Sequence, residues 1–283
     1  MEAVGVVGAG TMGSGVALNL VQKGFRVVIT DISEKVLEKS RHSIYQNLRL
    51  QRLYHNSKLS PINNIEELMD NIIFTTDYQK FGDVTYIIEN VTENLKIKQE
   101  VYAMLEKVCG SDTIFIANTS SISIGCIASY TNRPEKVMGV HFMNPVVLKE
   151  YVEGIQGPNT SMDCICKTEK LLLKMGKKLL LVKDSPGFVS NRISHLYMNE
   201  AFYIIEQQIA SVEIVDEIFS QCFGHAMGPL ETADLIGLDV VMDTLNVMYE
   251  AYKDRKYLCC PLLVKMVEEG RLGRKSGCGF YQY

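Results

Sequence analysis

The chain has 283 residues, 47% of them hydrophobic and 22% charged, with a formal net charge of -4. This is the composition of a globular protein long enough for two domains. The negative balance argues against a general nucleic-acid binder, which presents a basic face, while leaving room for a local basic site. From Met1 the chain enters an apolar run at once, without the basic and apolar regions of a secretory leader. No apolar run reaches the ~18 residues of a membrane span, so a cytoplasmic protein without a membrane or nucleic-acid partner is expected.

In chain order, strands are predicted at residues 4–7, 26–30, 72–75, 84–89, 113–117, 137–142, 151–155 and 178–182, with helical patterns between most of them. That alternation implies an α/β fold, a Rossmann-like doubly wound sheet covered on both faces. Residues 33–70 read as one long helical stretch rich in Lys35, Lys39, Arg41, Arg49, Arg52 and Lys58. It is either a solvated face or a basic arm for a phosphate-bearing carrier. At Asp184-Ser185-Pro186-Gly187 a helix start is predicted, with Ser185 as N-cap and Pro186 at the first helical position. From there to about Met266 the apolar spacing is helical, interrupted near Gly224 and Pro229. Two domains follow: 1–183, and an all-α domain at 184–283. The eight cysteines, Cys109, Cys126, Cys164, Cys166, Cys222, Cys259, Cys260 and Cys278, form no C-x-x-C pair and have no accompanying His cluster. No metal site is expected from them, and they fit thiols in a reducing compartment.

The first strand runs into Gly8-Ala9-Gly10-Thr11-Met12-Gly13 and then a helix. This is a G-x-G-x-x-G turn in the strand–turn–helix setting that dinucleotide binding requires. Gly8 permits the tight turn, Gly10 lets a pyrophosphate approach the backbone, and Gly13 lets helix and strand pack closely. The helix N-terminus attracts the phosphate charge. The second strand leads to Asp31, whose carboxylate suits a ribose 2′-hydroxyl and repels a 2′-phosphate, so NAD is favoured over NADP. A turn or N-cap role for Asp31 is the alternative.

Three further segments carry candidate chemistry. Asn118-Thr119-Ser120-Ser121 follows the fifth strand, His141-Phe142-Met143-Asn144-Pro145 closes the sixth, and Glu153 sits in the seventh. Residues at carboxyl ends of strands line the ligand crevice of such sheets. Oxidation of an alcohol by NAD needs a base for the hydroxyl proton, and histidine suits that near neutral pH. A carboxylate on its other ring nitrogen would fix the tautomer, and Ser120 could bind the reacting oxygen. Taken singly, a histidine near a strand or a glutamate on one is more often structural, and spacing alone does not pair them.

At these residues the chain resembles the 3-hydroxyacyl-CoA dehydrogenase family, especially the short bacterial 3-hydroxybutyryl-CoA dehydrogenase type. The matching stretches are GVVGAGTMGSGVA, IIENVTENLKIK, NTSSISI, HFMNP, DSPGFVSNRI, AMGPLETADLIGLD and the terminal GRLGRKSGCGFYQY, covering nearly the whole chain. The resemblance implies an NAD cofactor and a helical domain that dimerises. It makes His141 the general base or acid, Glu153 its orienting partner, and Ser120 and Asn191 the substrate-polarising residues. Thr11, Met12, Glu93, Lys98, Ser120, Asn144 and Lys275 match cofactor-side positions, although solvated roles for Lys98 and Lys275 stay open on chemistry alone. Asn191 would lie on the first helix of the second domain. Departures from the family pattern fall at Met143, Val147, Lys149 and Glu150, and at Asn47 and Tyr54, where the family's CoA-contacting positions hold Ser and Lys.

Three alternatives follow. The same chemistry on a carrier-protein-bound thioester, as in polyketide extender-unit biosynthesis, would suit those departures. A non-catalytic, crystallin-like NAD binder would need none of Ser120, His141, Glu153 and Asn191. A 2-hydroxyacid or 6-phosphogluconate-type dehydrogenase would carry a catalytic lysine early in the helical domain, and residues 184–210 contain none.

Overall fold

A computed structural model of the protein describes residues 2–54 and 62–283; Lys58 of the basic arm lies outside them. The chain divides into two compact units, Met1–Ser185 and Pro186–Tyr283.

The first unit is one eight-stranded sheet with helices. Its strands are β1 (Ala3–Val7), β2 (Arg26–Thr30), β3 (Ile72–Thr75), β4 (Tyr86–Glu89), β5 (Ile114–Ala117), β6 (Val137–His141), β7 (Tyr151–Gln156) and β8 (Lys178–Lys183). Its helices are α1 (Thr11–Gln22), α2 (Glu34–Tyr54), α3 (Ile65–Asp70), α4 (Leu95–Val108), α5 (Ile124–Ala128) and α6 (Met162–Lys174). The order across the sheet is β3-β2-β1-β4-β5-β6-β7-β8. Only β6 and β7 run antiparallel; the other neighbours are parallel.

Strands such as VVIT of β2 and IFIA of β5 are apolar without alternation because helices cover both faces of a parallel sheet. Val4, Val6, Val27, Ile29, Ile88, Ile116, Met138 and Val140 are all fully buried and join the core with Val16, Leu20, Leu48 and Leu172. The strand order reverses direction between β1 and β4, and in open α/β sheets the ligand crevice lies at the carboxyl ends beside that switch point. Gly8, Asn90, Asn118 and Asp31 all stand there.

The second unit holds α7 (Ser190–Glu206), α8 (Val212–Glu217), α9 (Pro229–Ile236), α10 (Leu238–Tyr252) and α11 (Pro261–Glu268). Phe202, Leu230, Leu238, Val241, Leu245 and Leu263 form its fully buried core. The buried carboxylate of Asp234 pins the C-terminal tail, accepting from the amides of Phe280 and Tyr281 at 3.0 and 2.9 Å. No helix among the described residues is long and apolar enough to cross a membrane.

Two local expectations need correction. The helix predicted to start at Ser185 starts at Ser190, with Val189 as its N-cap and no side-chain cap. Gly187 and Phe188 take φ values of +77° and +51°, outside the helical region. Burial of the Phe188 side chain accompanies that break. Asp184 does not cap α7; its carboxylate accepts from Ser123 Oγ at 2.7 Å and Gly125 N at 2.8 Å. Residues 33–70, read as one helical stretch, contain two helices, α2 and α3. Asn64 ends any continuity by capping α3, its side chain accepting from Glu67 N at 3.2 Å.

Thiol burial makes the fold sensitive to alkali. Burial pushes Cys109 and Cys164 up to about 12 and Cys260 to about 11, whereas unfolded thiols titrate near ~8.5. A raised folded value contributes stability that is complete below the unfolded value and is lost as pH climbs toward the folded one. Lys177 opposes this: burial, then the charge of Lys23, lowers it to about 8, so its contribution improves above that pH. Burial pushes Cys259 to about 11 as well, so four thiols against one lysine set the net sign. Differential scanning calorimetry is expected to show a falling Tm between pH 8 and pH 10, and a smaller fall in the Cys109→Ala/Cys164→Ala variant. A flat Tm over that range would contradict it.

Candidate active site

The glycine turn is built as its spacing implies. Gly8 has φ +89°, and a side chain there would meet the Asn90 carbonyl at 2.7 Å. At Gly13 a Cβ would stand 1.8 Å from the Gly8 carbonyl oxygen, so α1 can approach β1 only without one. A Cβ at Gly10 would meet nothing within 4 Å. Gly10 is the N-cap of α1 and offers no side-chain cap, which leaves the first amides of that helix to an incoming anion. Gly10 and Thr11 line a cavity of about 370 Å³ with Ser14, Lys39, Asn47 and Asn144. An open space at the positive end of a twelve-residue helix fits a dinucleotide diphosphate.

Asp31 follows β2 directly. Its Oδ2 accepts from Ala9 N at 2.9 Å and its Oδ1 from Ser33 N at 3.2 Å. The carboxylate is thereby fixed against the glycine turn, where a ribose hydroxyl would meet it. Asp31→Ala is expected to weaken NAD by about ten- to hundredfold, the size of a lost hydrogen bond to a charged group, and to relax discrimination against NADP. Parallel titrations of both cofactors check this; an unchanged preference would place ribose recognition elsewhere.

His141 ends β6 and Glu153 lies directly across from it in β7. The twelve-residue separation becomes a cross-strand pair because the intervening segment reverses the chain. His141 Nδ1 stands 3.4 Å from Glu153 Oε2, and both side chains are buried. A carboxylate can only accept, so Nδ1 carries the proton and Nε2 presents its lone pair. On that side Ser120 Oγ lies 3.2 Å from Nε2. The chain Ser120–His141–Glu153 can therefore move a proton at Nε2 while the carboxylate steadies the imidazolium.

Ser120 is held by Glu93. Glu93 Oε1 accepts from Ser120 N and Ser121 N, both at 2.9 Å, from Thr119 Oγ1 at 2.5 Å and from Ser121 Oγ at 3.2 Å. Burial raises the Glu93 carboxyl, but Lys98 and these donors outweigh it and hold the group below its ordinary value. Lys98, read as a cofactor-side residue or a solvated lysine, is fully buried. Its Nζ contacts both oxygens of Glu89 at 2.8 and 2.9 Å and stands 3.6 Å from Glu93 Oε2.

The structure thus gathers Ser120, His141, Glu153, Glu93 and Lys98, and separately the turn from Gly8 to Gly13 with Asp31 and Asn144. Asn191 and Lys275 belong to the second unit: Asn191 is the second residue of α7, and Lys275 Nζ lies 2.5 Å from the Asp239 carboxylate. Of the departing residues, Asn47 and Val147 line the cavity beside the glycine turn, whereas Lys149 and Glu150 line a smaller one with Asn19, Lys23 and Lys177. Tyr54 is the last residue of α2.

Sequence reasoning named Asn118 only as part of its segment and gave no role to it, to Asn90 or to Glu89. Asn118 Nδ2 donates to Asn90 Oδ1 at 2.8 Å, and its Oδ1 accepts from Phe142 N at 3.2 Å, lacing the ends of β4, β5 and β6. The available signal was position: each stands at the end of an apolar strand, where a polar residue has to find a partner.

Comparison with known proteins agrees with this geometry. The model of the 3-hydroxyacyl-CoA dehydrogenase NAD binding domain matches residues 3–185, and that of the family's C-terminal domain matches residues 187–283. A probable 3-hydroxybutyryl-CoA dehydrogenase of Deinococcus radiodurans is 40% identical over 279 residues, covering 99% of each chain. A 3-hydroxybutyryl-CoA dehydrogenase of Clostridioides difficile is 40% identical over 278 residues, covering 98% of each. Among solved structures, (S)-3-hydroxybutyryl-CoA dehydrogenase PaaH1 from Ralstonia eutropha superposes with a TM-score of 0.94 at 37% identity, covering 100% of this chain and 99% of that one. With both family domains matched in order along its length, the chain belongs to the 3-hydroxyacyl-CoA dehydrogenase family.

Proposed function

We propose that the protein is an NAD-dependent 3-hydroxyacyl-CoA dehydrogenase acting on short acyl chains such as 3-hydroxybutyryl-CoA, with His141 as its proton-transfer residue. The observation that carries this reading is the hydrogen-bonded series Ser120–His141–Glu153, at 3.2 and 3.4 Å, in a family whose NAD-binding domain this chain contains. NAD, when bound, supplies the hydride acceptor. Gly10, Thr11 and the α1 N-terminus would hold its diphosphate, Asp31 its ribose, and Glu93 and Asn144 would complete its surroundings; for Lys275 a cofactor-side role rests on the family resemblance alone.

The chain's own residues perform the proton chemistry. In the oxidising direction His141 Nε2 takes the proton of the 3-hydroxyl, and Glu153 stabilises the resulting imidazolium. In the reducing direction the same nitrogen returns it. Ser120 Oγ, beside Nε2, orients the reacting oxygen; for Asn191 a substrate-polarising role rests on the family resemblance alone. Burial of His141 and Glu153 keeps bulk water from competing for that proton.

On α2, Lys39, Ser43 and Asn47 recur every four residues and line the cavity beside the glycine turn. This face suits the phosphates and amides of a CoA tail. The family comparisons favour CoA over the carrier-protein alternative raised by Asn47 and Tyr54 on the helical arm and by Met143, Val147, Lys149 and Glu150. The same reading takes the enzyme as a dimer through Pro186–Tyr283, supported by exposed Ile193, Ile214 and Phe223 on that unit. It also takes a cytoplasmic location, supported by eight free cysteines.

The test is NADH formation at 340 nm with 3-hydroxybutyryl-CoA, beside the same acyl group on a carrier protein. Turnover of the free CoA ester is expected. Turnover of the carrier-bound ester alone would overturn the substrate assignment, and turnover of neither the dehydrogenase reading itself.

A further inference from the structure

Three charged side chains behind the site are not used by the proton chemistry: Glu89 at the end of β4, Lys98 on α4, and Glu93 between them. Glu89 and Lys98 are completely buried, and the Glu93 side chain is 35% exposed. Lys98 Nζ sits against both Glu89 oxygens, and Glu89 Oε1 also accepts from Val91 N at 2.7 Å. A fully buried ion pair is a poor way to gain stability, because an apolar pair of the same volume does as well or better. Its use has to be sought in what it orients.

Lys98 faces Glu93 Oε2, while Glu93 Oε1 gathers the four donors of Thr119, Ser120 and Ser121. The cation fixes one oxygen and so aims the other. That second oxygen sets the backbone of Ser120, whose hydroxyl meets His141 Nε2.

We infer that Glu89 and Lys98 are positioning residues that act through Glu93 to aim Ser120 at His141. This rests on the dehydrogenase reading above, since it assigns Ser120 to the reacting oxygen.

The variant that removes the pair without leaving a lone buried charge is Glu89→Gln/Lys98→Met. It is expected to keep the native circular-dichroism spectrum and its NAD Kd within about threefold, and to lower kcat about ten- to hundredfold, the size of a charge-assisted hydrogen bond. In a Ser120→Ala background the same double substitution is expected to cost almost nothing further, because both changes remove one interaction. Losses that multiply would overturn the inference, as would a loss of NAD affinity at unchanged kcat. Amide hydrogen exchange of the 114–124 segment gives a readout independent of turnover. Faster exchange in the pair variant is expected, and unchanged protection would overturn the inference even if the native enzyme acts on a different substrate. Should the pair variant fail to fold, Glu93→Gln puts the same questions to the same segment with the pair intact.

Discussion

His141→Ala is expected to lower kcat by about two to four decades, the range lost with a general base, while NAD binds as before. The histidine sits at the end of β6 and takes no part in the glycine turn or in the fixing of Asp31, so cofactor affinity has no reason to move. The ring is buried against Glu153, and its removal takes away the contact between that carboxylate and the imidazole. His141→Gln separates the two effects: it keeps an amide donor beside Glu153 but has no base at the Nε2 position, so turnover is expected to stay low while Tm recovers. Steady-state rates at 340 nm, with NAD Kd from fluorescence quenching and Tm from calorimetry, decide the matter. Near-native turnover in either variant would remove His141 from the mechanism.

Gly10→Ala and Gly13→Ala are expected to fail in different ways. At Gly10 the new methyl meets no protein atom within 4 Å, and the residue keeps an ordinary φ of -69°. The free protein should therefore fold with nearly native Tm. The methyl enters the space left for the diphosphate, and loss of two amide contacts to a charged group corresponds to about a hundredfold or more in NAD affinity. At Gly13 the methyl would stand 1.8 Å from a backbone oxygen that has nowhere to retreat, because Gly8 N already donates to Thr30 O at 2.8 Å. Strand and helix must separate, so Tm and NAD affinity fall together, Tm by about the several degrees that follow from 1–3 kcal/mol of overpacking. Calorimetry beside NAD titration tests the contrast. Equal losses of stability in the two variants would mean that Gly10 serves packing, as Gly13 does, and that the diphosphate is bound elsewhere.

Much of the sheet could be read before any coordinates, because most strands are short apolar runs bounded by polar residues, the central ones buried along their length and only the edge strand β8 left open. The direction of β7 could not. Apolar content carries no sign of polarity along the strand, and only the reversal after His141 brings Glu153 opposite it. The start of α7 was misplaced because Ser185-Pro186 is a good helix opening taken locally, and a positive φ at Phe188 has no signature in sequence. Lys98 was hidden by its setting: on the first turns of a helix a lysine reads as solvated. The better clue lay in β4, whose run YIIE is buried throughout. A carboxylate in such a strand requires a cation or several donors, and Lys98 stands nine residues further along.

The pH dependence of kcat/KM for 3-hydroxyacyl-CoA oxidation bears most directly on whether an imidazole braced by a carboxylate takes the hydroxyl proton. In the native enzyme the rate is expected to rise with unit slope on the acid side and reach a plateau, as one group loses its proton. In His141→Ala that break should vanish, leaving a small rate that climbs steadily with hydroxide. The same acid break persisting in the variant would assign the proton transfer to another residue.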